Sequence, residues 1–330
     1  MLTWRSPLGV ANGYAISARA IARELEAEGV PVTLVDVETS RAASRPTVTY
    51  APGDRFPRQG IGFTMIEVDG FPAEWVRRAN AMDQIWTPTE FNRAGLLACG
   101  VTRPVHVIPL GVDPAHFHPE VPGMPNPGGE YVFLTSFEWG ERKNPELLLR
   151  TFNRTFRCDE PVLLVCKVNH RDPGIHVPNA IRALGLDERG GRIYFIYNRQ
   201  VPHEQLASLY RSADCFVSTS RGEGWGLPLL EAMACGLPAI ATNWGGHTAF
   251  LDPADTYPLR VRELVPASSG CPYYTGFRWA DPDAEHLASL LRHVFSHQEE
   301  ARERGLRAAA RVRTTLTWRH SAHAIAARLS

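Results

Sequence analysis

The chain lacks several features that mark large classes of protein. Its 35 Lys and Arg residues are balanced by 35 Asp and Glu residues, so no overall basic field would attract nucleic acid, and we expect no nucleic-acid partner. No apolar run reaches the roughly 18 residues that a membrane-spanning helix needs, and no signal peptide precedes Trp4. We therefore expect a cytoplasmic location and leave a peripheral membrane contact open.

The sequence also gives little support for disulfides, metal sites or a dinucleotide-binding motif. The six cysteines form no CxxC pair, and Cys166 and Cys215 lie in apolar runs typical of buried thiols, which favours a reducing compartment. No HExxH cluster is found, and His116 and His118 are interpreted as structural, so we predict no metal ligand. Residues 9–14 (GVANGY) do not match GxGxxG, which argues against a nicotinamide oxidoreductase.

Predicted strands and helices alternate along the chain, which is typical of parallel α/β sheets. Pro119–Gly129 interrupts them with four Pro and three Gly, a composition that no helix or strand interior tolerates. We predict two Rossmann-like domains, residues 1–118 and 130–317, joined by the linker 119–129. In the first domain we expect Arg41–Arg58 to be mostly loop and Gly62–Val68 to be a strand. Two such sheets leave a cleft at their strand ends, where ligands of α/β proteins bind.

The most informative segment is Ser220–Gly246, which predicts a strand end, a glycine-rich turn, a short helix and a second strand. Gly222, Gly224 and Gly226 would let the backbone turn sharply and approach a ligand. A helix that begins behind such a turn offers free N–H groups and the positive end of its dipole, which together form an anion site. An ordinary helix start is the alternative for this turn taken alone.

Two carboxylates frame the glycine turn. Glu223 lies within it, and Glu231 follows eight residues later inside the predicted helix. Because helical side chains lean toward the N-terminus, Glu231 should point back toward a ligand at the turn. An ionised carboxylate accepts two hydroxyl donors, which suits the diols of a sugar or a ribose. The pattern therefore indicates a ligand that carries both phosphate and hydroxyl groups.

A basic pair follows the predicted strand Tyr131–Ser136. Lys143 can neutralise a diphosphate, and Arg142 can bind it in bidentate fashion. Basic residues at a helix start oppose the helix dipole, so their presence there suggests an anion. The alternative is a solvated Arg-Lys pair with no ligand.

Glu223 and Glu231, with the intervening GWGLPLL, resemble the E-x7-E signature of retaining, nucleotide-sugar-dependent glycosyltransferases of the GT-B fold, family 4. The resemblance implies that Glu223 faces the donor sugar and that Glu231 holds the ribose hydroxyls. It places Arg142 and Lys143 at the donor diphosphate, although many relatives carry an Arg where this chain has Phe137 and Glu138. The remaining implied donor contacts come from the turn itself, at Gly224, Trp225, Gly226 and Leu227.

The same resemblance implies an acceptor side in the first domain. The loop Pro7–Tyr14 would lie between the donor phosphate and the acceptor, with Gly9, Asn12 and Gly13 as candidates, although an ordinary β-to-α turn fits equally well. Glu67 is the candidate for the acceptor hydroxyl, in a region where many relatives carry a His. The last helix, residues 318–330, would cross back onto the first domain.

The activity implied is transfer of a hexose with retention of anomeric configuration, without a metal or cofactor. The partners would be a nucleotide-sugar donor and a glycan, lipid-linked or small-molecule acceptor. An NDP-sugar epimerase or a phosphorylase of the same fold remains an alternative, as does a non-catalytic nucleotide-sugar binding protein.

Overall fold

The structure is a computed structural model that describes residues 1–9, 12–39, 47–126, 128–170, 174–199, 201–268 and 270–329. Two six-stranded sheets, each purely parallel, carry helices on their faces. This confirms the predicted α/β class with two Rossmann-like sheets. Within the described ranges no helix is both long enough and apolar enough to cross a membrane.

The first sheet is built from the N-terminal third of the chain. Its strands are β1 (Leu2–Ser6), β2 (Val32–Asp36), β3 (Thr47–Tyr50), β4 (Ile61–Phe63), β5 (Gln84–Thr87) and β6 (Val105–Val107). They lie in the order β2-β1-β3-β4-β5-β6. The helices of this part are α1 (Gly13–Ala27), α2 (Ala73–Ala79) and α3 (Glu90–Ala98). The central strands β1, β3 and β4 are buried along their whole length, as expected of strands that are covered on both faces.

The second sheet follows the Pro/Gly-rich segment. Its strands are β7 (Tyr131–Glu138), β8 (Val162–Asn169), β9 (Arg192–Tyr197), β10 (Cys215–Ser218), β11 (Ala239–Thr242) and β12 (Tyr257–Leu259). They lie in the order β12-β11-β10-β7-β8-β9. Its helices are α4 (Pro145–Thr155), α5 (Val177–Ala183), α6 (His203–Arg211), α7 (Leu227–Ala234), α8 (Ala284–Ser296) and α9 (Gln298–Thr315). A separate antiparallel hairpin joins β13 (Val261–Pro266) to β14 (Arg278–Pro282).

The structure differs from the local predictions at three places. Of the stretch expected to be mostly loop, Arg41–Arg58, residues 41–46 lie outside the described ranges, and the rest contains the buried strand β3, which pairs with β1 and β4 at the centre of the first sheet. The strand expected over Gly62–Val68 ends at Phe63, since the chain leaves the sheet there. The hairpin β13–β14 was not predicted at all.

The chain crosses between the two halves at two adjacent points. Residues 119–126, 128 and 129, within the predicted linker, form no helix or strand. Val112 pairs with Thr317, where the chain returns to enter α10 (Trp318–Leu329), and α10 packs against α1. One continuous core cluster therefore holds residues of both sheets and of α10, among them Trp4, Leu134 and Ile325. We keep 1–118, 119–129 and 130–317 as the proposed division of the chain.

Candidate active site

A cleft of about 440 Å³ lies between the two sheets. Its walls come from the start of α1 and Glu67 on one side, and from the ends of β7 and β8 and the start of α7 on the other. Most of the predicted site residues line this cleft: Asn12, Gly13, Glu67, Arg142, Lys143, Glu223, Gly224, Trp225, Gly226, Leu227 and Glu231. The carboxyl ends of the strands thus form the site edge that the sequence predicts.

The glycine turn is shaped by contacts with its neighbours. Gly226 has φ +106° and precedes the first residue of α7, and a Cβ added there would lie 2.7 Å from the ring of His247. A Cβ on Gly222 would lie 1.9 Å from the carbonyl oxygen of Glu67 in the first domain. The tight approach at Gly222 is therefore made to the opposite domain, whereas the sequence predicted a close approach to a ligand.

Glu223 stands at the centre of a buried charge cluster. One carboxylate oxygen accepts from Lys143 Nζ, and the other accepts from Arg142 Nη1 at 3.1 Å. Arg142 Nη1 also donates to the Gly222 carbonyl at 2.9 Å. Burial alone would raise the pKa of Glu223, but the charges of Lys143 and Arg142 outweigh it and hold that pKa well below its usual range. Glu223 is therefore ionised and engaged on both oxygens.

The basic pair sits in a turn of 3-10 helix rather than in α4. This turn spans Glu141–Lys143, and the left-handed Asn144 (φ 52°) separates it from α4. The helix thus begins at Pro145, after the basic pair, whereas the sequence predicted the pair at the helix start. Arg221 N donates to the Arg142 carbonyl at 2.7 Å, so the glycine turn and the basic turn are fixed to each other through the backbone.

Glu231 lies one helical turn further along α7, where its side chain faces the cleft. Tyr210 on α6 donates its hydroxyl to Glu231 Oε2 at 2.8 Å. Burial raises the pKa of Glu231 to about 7, although the bond from Tyr210 and the charge of Lys167 oppose that shift. Lys167, near the end of β8, is itself 8% exposed and lines the cleft. A carboxylate and an ammonium therefore face a cavity wide enough for a ligand.

Of the predicted site residues in the first domain, Asn12, Gly13 and Glu67 line the cleft, and Gly9 is not among its lining residues. Asn12 Oδ1 accepts from Ala15 N at 2.9 Å and so caps α1, while Gly13 approaches Leu227 of α7. Gly9 lies beside the Asp36 carboxylate, and residues 10 and 11 of the predicted loop fall outside the described ranges. Glu67 is half-buried and faces Tyr274, a residue of the unpredicted hairpin loop.

Sequence reasoning missed several residues of the site. His247 is 2% exposed, donates from Nδ1 to the Thr242 carbonyl at 3.2 Å, and borders a cavity of about 20 Å³ beside Glu223. Burial lowers the pKa of His247 to about 4, against the attraction of Glu223, so the ring is neutral at physiological pH. Trp225 is a core side chain that packs on Phe250 with a centroid distance of 5.2 Å. No spacing rule in the sequence connects His247 or Tyr210 to the glutamate motif.

The residues that match short metal-ligand patterns in the sequence make other contacts in the structure. His116 and His118 match HxH, but His116 stacks on His203 and His118 bonds to Glu120. Asp281 and Asp283 match DxD, but both pair with arginines. In the part of the chain that the structure describes, no group of three or more His, Cys, Asp or Glu side chains could hold a metal ion.

Comparison with known families adds to this geometry. Residues 186–311, which include both glutamates and the whole of α7, match the family described as "Glycosyl transferases group 1". The matched segment covers most of the second sheet's domain and none of the first.

Curated relatives of this chain match over limited stretches. A D-inositol 3-phosphate glycosyltransferase of Mycobacterium avium is 29% identical over 187 residues, which is 56% of this chain and 38% of the relative. A mannosylfructose-phosphate synthase of Agrobacterium fabrum is 34% identical over 95 residues, which is 26% of this chain and 20% of the relative. The alignments thus span well under half the length of these relatives.

Solved structures match over the whole chain. Anabaena HepE, in complex with UDP and glucose, has a TM-score of 0.71 at 14% identity and is covered to 98%, against 99% of this chain. Sucrose-phosphate synthase of Thermosynechococcus elongatus has a TM-score of 0.75 at 17% identity with the same coverage. These likenesses establish the GT-B fold for both domains.

Proposed function

We propose that this protein transfers a hexose from a nucleotide diphosphate sugar to an acceptor hydroxyl, with retention of anomeric configuration and without a metal. The observation that carries the proposal is the placement of Glu223 and Glu231 on either side of the start of α7, with Lys143 and Arg142 beside Glu223. In this arrangement the sugar lies at Glu223, the ribose at Glu231, and the diphosphate between them.

Lys143 and Arg142 supply the positive charge that the leaving diphosphate needs. When the bond from the anomeric carbon to the donor oxygen breaks, negative charge grows on the β-phosphate. Fixed donors at that position are typically worth about 10²–10³ in rate each. Lys143 and Arg142 are both tied to Glu223 before any ligand arrives, so their orientation is set in advance. No metal is needed in this scheme.

Glu223 serves in this proposal as a sugar ligand and not as a nucleophile. Both of its oxygens already accept from cations, and its lowered pKa makes it a weak base. Retention then follows from attack by the acceptor on the face that the diphosphate leaves, with a phosphate oxygen accepting the acceptor proton. Glu67, on the opposite wall, would hold the acceptor hydroxyl in place.

The names of the curated relatives guide the choice of substrates. They include two enzymes named for phosphorylated products or acceptors and an O-antigen chain mannosyltransferase of Escherichia coli, which is 51% identical over 59 residues. We therefore propose a glycan, a lipid-linked sugar or a phosphorylated small molecule as the acceptor. A peripheral membrane contact would accompany only the lipid-linked case.

The test begins with UDP-glucose, GDP-mannose and ADP-glucose as thermal-shift ligands. The donor that stabilises the protein most is then incubated with fructose 6-phosphate, inositol 3-phosphate and methyl glycosides, and release of the nucleoside diphosphate is followed with and without EDTA. We expect acceptor-dependent release that EDTA does not change. Turnover without an acceptor would favour an epimerase, turnover with inorganic phosphate a phosphorylase, and binding without turnover a binding protein.

A further inference from the structure

The hairpin β13–β14 contacts the first domain although it is formed by the second half of the chain. Its strands pair with each other and not with the second sheet. Trp279 on β14 is fully buried in a cluster with Ile66, Val68 and Phe71 of the first domain. Ala280 N also donates to the Arg221 carbonyl at 2.9 Å, immediately before the glycine turn. The hairpin therefore joins the acceptor wall of the cleft to the donor wall.

The segment of the first domain that the hairpin contacts is the one that carries Glu67. Ile66 and Val68 are buried, and Glu67 between them lines the cleft. Asn92 holds the segment from one side, since it accepts from Ile66 N and donates to the Ile66 carbonyl at 3.0 Å each. From the other side Asp69 accepts from Arg278 N at 2.7 Å. The backbone on either side of Glu67 is thus fixed.

The carboxylate of Glu67 is fixed as well. Tyr274, in the loop of the hairpin, donates its hydroxyl to Glu67 Oε2 at 2.9 Å. Burial and the nearby charge of Glu67 raise the pKa of Tyr274 above its usual value, so the phenol keeps its proton and remains a donor. Within the described part of the chain, Oε1 of Glu67 has no side-chain donor, which leaves that oxygen for a hydroxyl in the cleft.

Without Tyr274, the Glu67 carboxylate could pair with Arg142 instead. Burial alone would lower the pKa of Arg142, but the negative charges of Glu223 and Glu67 raise it above its usual value. Glu67 therefore lies close enough to interact electrostatically with the Arg142 guanidinium. A direct pair between Glu67 and Arg142 would remove the carboxylate from the acceptor and partly neutralise the cation meant for the diphosphate. A neutral donor holds the carboxylate without adding a charge.

We propose that Tyr274 is a positioning residue that holds the Glu67 carboxylate toward the acceptor hydroxyl, so that the acceptor side of the site is completed by a hairpin from the donor-side domain. This inference rests on the proposed glycosyl transfer. Tyr274 acts only through Glu67, and it therefore affects use of the acceptor and not binding of the donor.

The hairpin offers a matched control. Tyr273 is adjacent and donates its hydroxyl to Asp54 of the first domain at the same distance of 2.9 Å, whereas Glu67 accepts from Tyr274. Tyr273→Phe and Tyr274→Phe thus each remove one hydroxyl and one bond between the domains. The experiment measures kcat and KM for donor and acceptor in both variants, together with hydrolysis of the donor by water when no acceptor is present.

We expect Tyr274→Phe to lower kcat/KM for the acceptor about tenfold, the effect of losing one hydrogen bond to a charged group, with donor KM and donor hydrolysis changed by less than about twofold. Tyr273→Phe should stay within about twofold of wild type in every parameter. In a Glu67→Ala background, Tyr274→Phe should have no further effect on the acceptor, because the group on which Tyr274 acts is gone.

Equal effects of the two Tyr→Phe variants, a parallel loss of transfer and donor hydrolysis in Tyr274→Phe, or additive losses with Glu67→Ala would each overturn the inference. These outcomes differ from failure of the proposed function. If the wild-type protein neither transfers nor hydrolyses any of UDP-glucose, GDP-mannose or ADP-glucose, the proposed function fails, and the inference fails with it.

Discussion

Replacing Glu223 by Gln should separate recognition of the sugar from recognition of the nucleotide. The substitution keeps the size of the side chain but removes its charge and puts a donor where one acceptor oxygen stood. In the structure that oxygen pair is shared between Lys143 and Arg142. In the variant both cations stay in the cleft, but no carboxylate partly neutralises them, so they attract a diphosphate more strongly.

The magnitude follows from the charges in the cleft. At an effective dielectric constant of 20 and a separation of about 8 Å, removing one negative charge favours a bound anion by about 2 kcal/mol per unit charge. Looser orientation of the two cations opposes this gain. We expect the affinity for free nucleoside diphosphate to be retained or to rise up to about tenfold, while kcat for transfer falls by about 10²-fold or more.

The assay is calorimetric titration of the nucleoside diphosphate and a transfer rate on the same preparation of Glu223→Gln. Breaking a buried ion pair commonly costs about 3–5 kcal/mol, so the melting temperature should fall by several degrees and must be measured first. Equal losses of nucleotide affinity and transfer in folded protein would refute the reasoning. Glu223 would then organise the loop and would not be a ligand of the sugar.

Further predictions concern substitutions at three neighbouring residues. Lys143→Ala should lower kcat by about 10²-fold with a smaller change in KM, while Glu141→Ala on the same turn should retain the rate of the wild type; similar rates would contradict the role of Lys143. Glu231→Gln should weaken nucleotide binding about tenfold at about pH 8 in calorimetry. Because burial raises the pKa of Glu231 from 4.5 to about 7, the native state loses stability as pH rises through that range. Glu231→Gln should therefore stabilise the protein by up to about 3 kcal/mol at about pH 8 and hardly at all below pH 4.5; an equal melting shift at both pH values would contradict this. Gly222→Ala, whose Cβ would meet the Glu67 carbonyl, should abolish transfer, whereas Gly140→Ala, with open space around it, should not; equal activities would show that the two walls need not touch.

Much of the second domain could be predicted from the sequence because its signals are local. The glycine turn, Pro228 in the first turn of α7 and the buried strands β10 and β11 follow from spacing and residue type alone. The direction of Glu231 follows from helix geometry, and the structure places its side chain in the cleft. The roles of these residues remain predictions, since the structure gives their positions and not their ligands.

The rest depends on contacts between residues far apart in the sequence. Strand β3 is four residues long and follows an Arg- and Pro-rich stretch, so its burial comes from β1 and β4 on either side of it and not from its own pattern. Tyr274 meets Glu67 across 207 positions, a pairing that no local rule predicts. The sequence predicted that Gly222 makes room for a ligand, but in the structure it makes room for the Glu67 carbonyl of the other domain. This contact also joins residues that are far apart in the sequence.

The central claim is retaining transfer without a metal, and proton NMR of the reaction tests it most directly. An α-linked nucleotide sugar is incubated with the acceptor and EDTA, and the anomeric proton of the first product is followed from the start. We expect the donor signal to be replaced by an α-linked product and free nucleoside diphosphate at equal rates. A β-linked first product, or a reaction that stops in EDTA and resumes with Mg²⁺, would contradict the roles assigned to Lys143, Arg142 and Glu223.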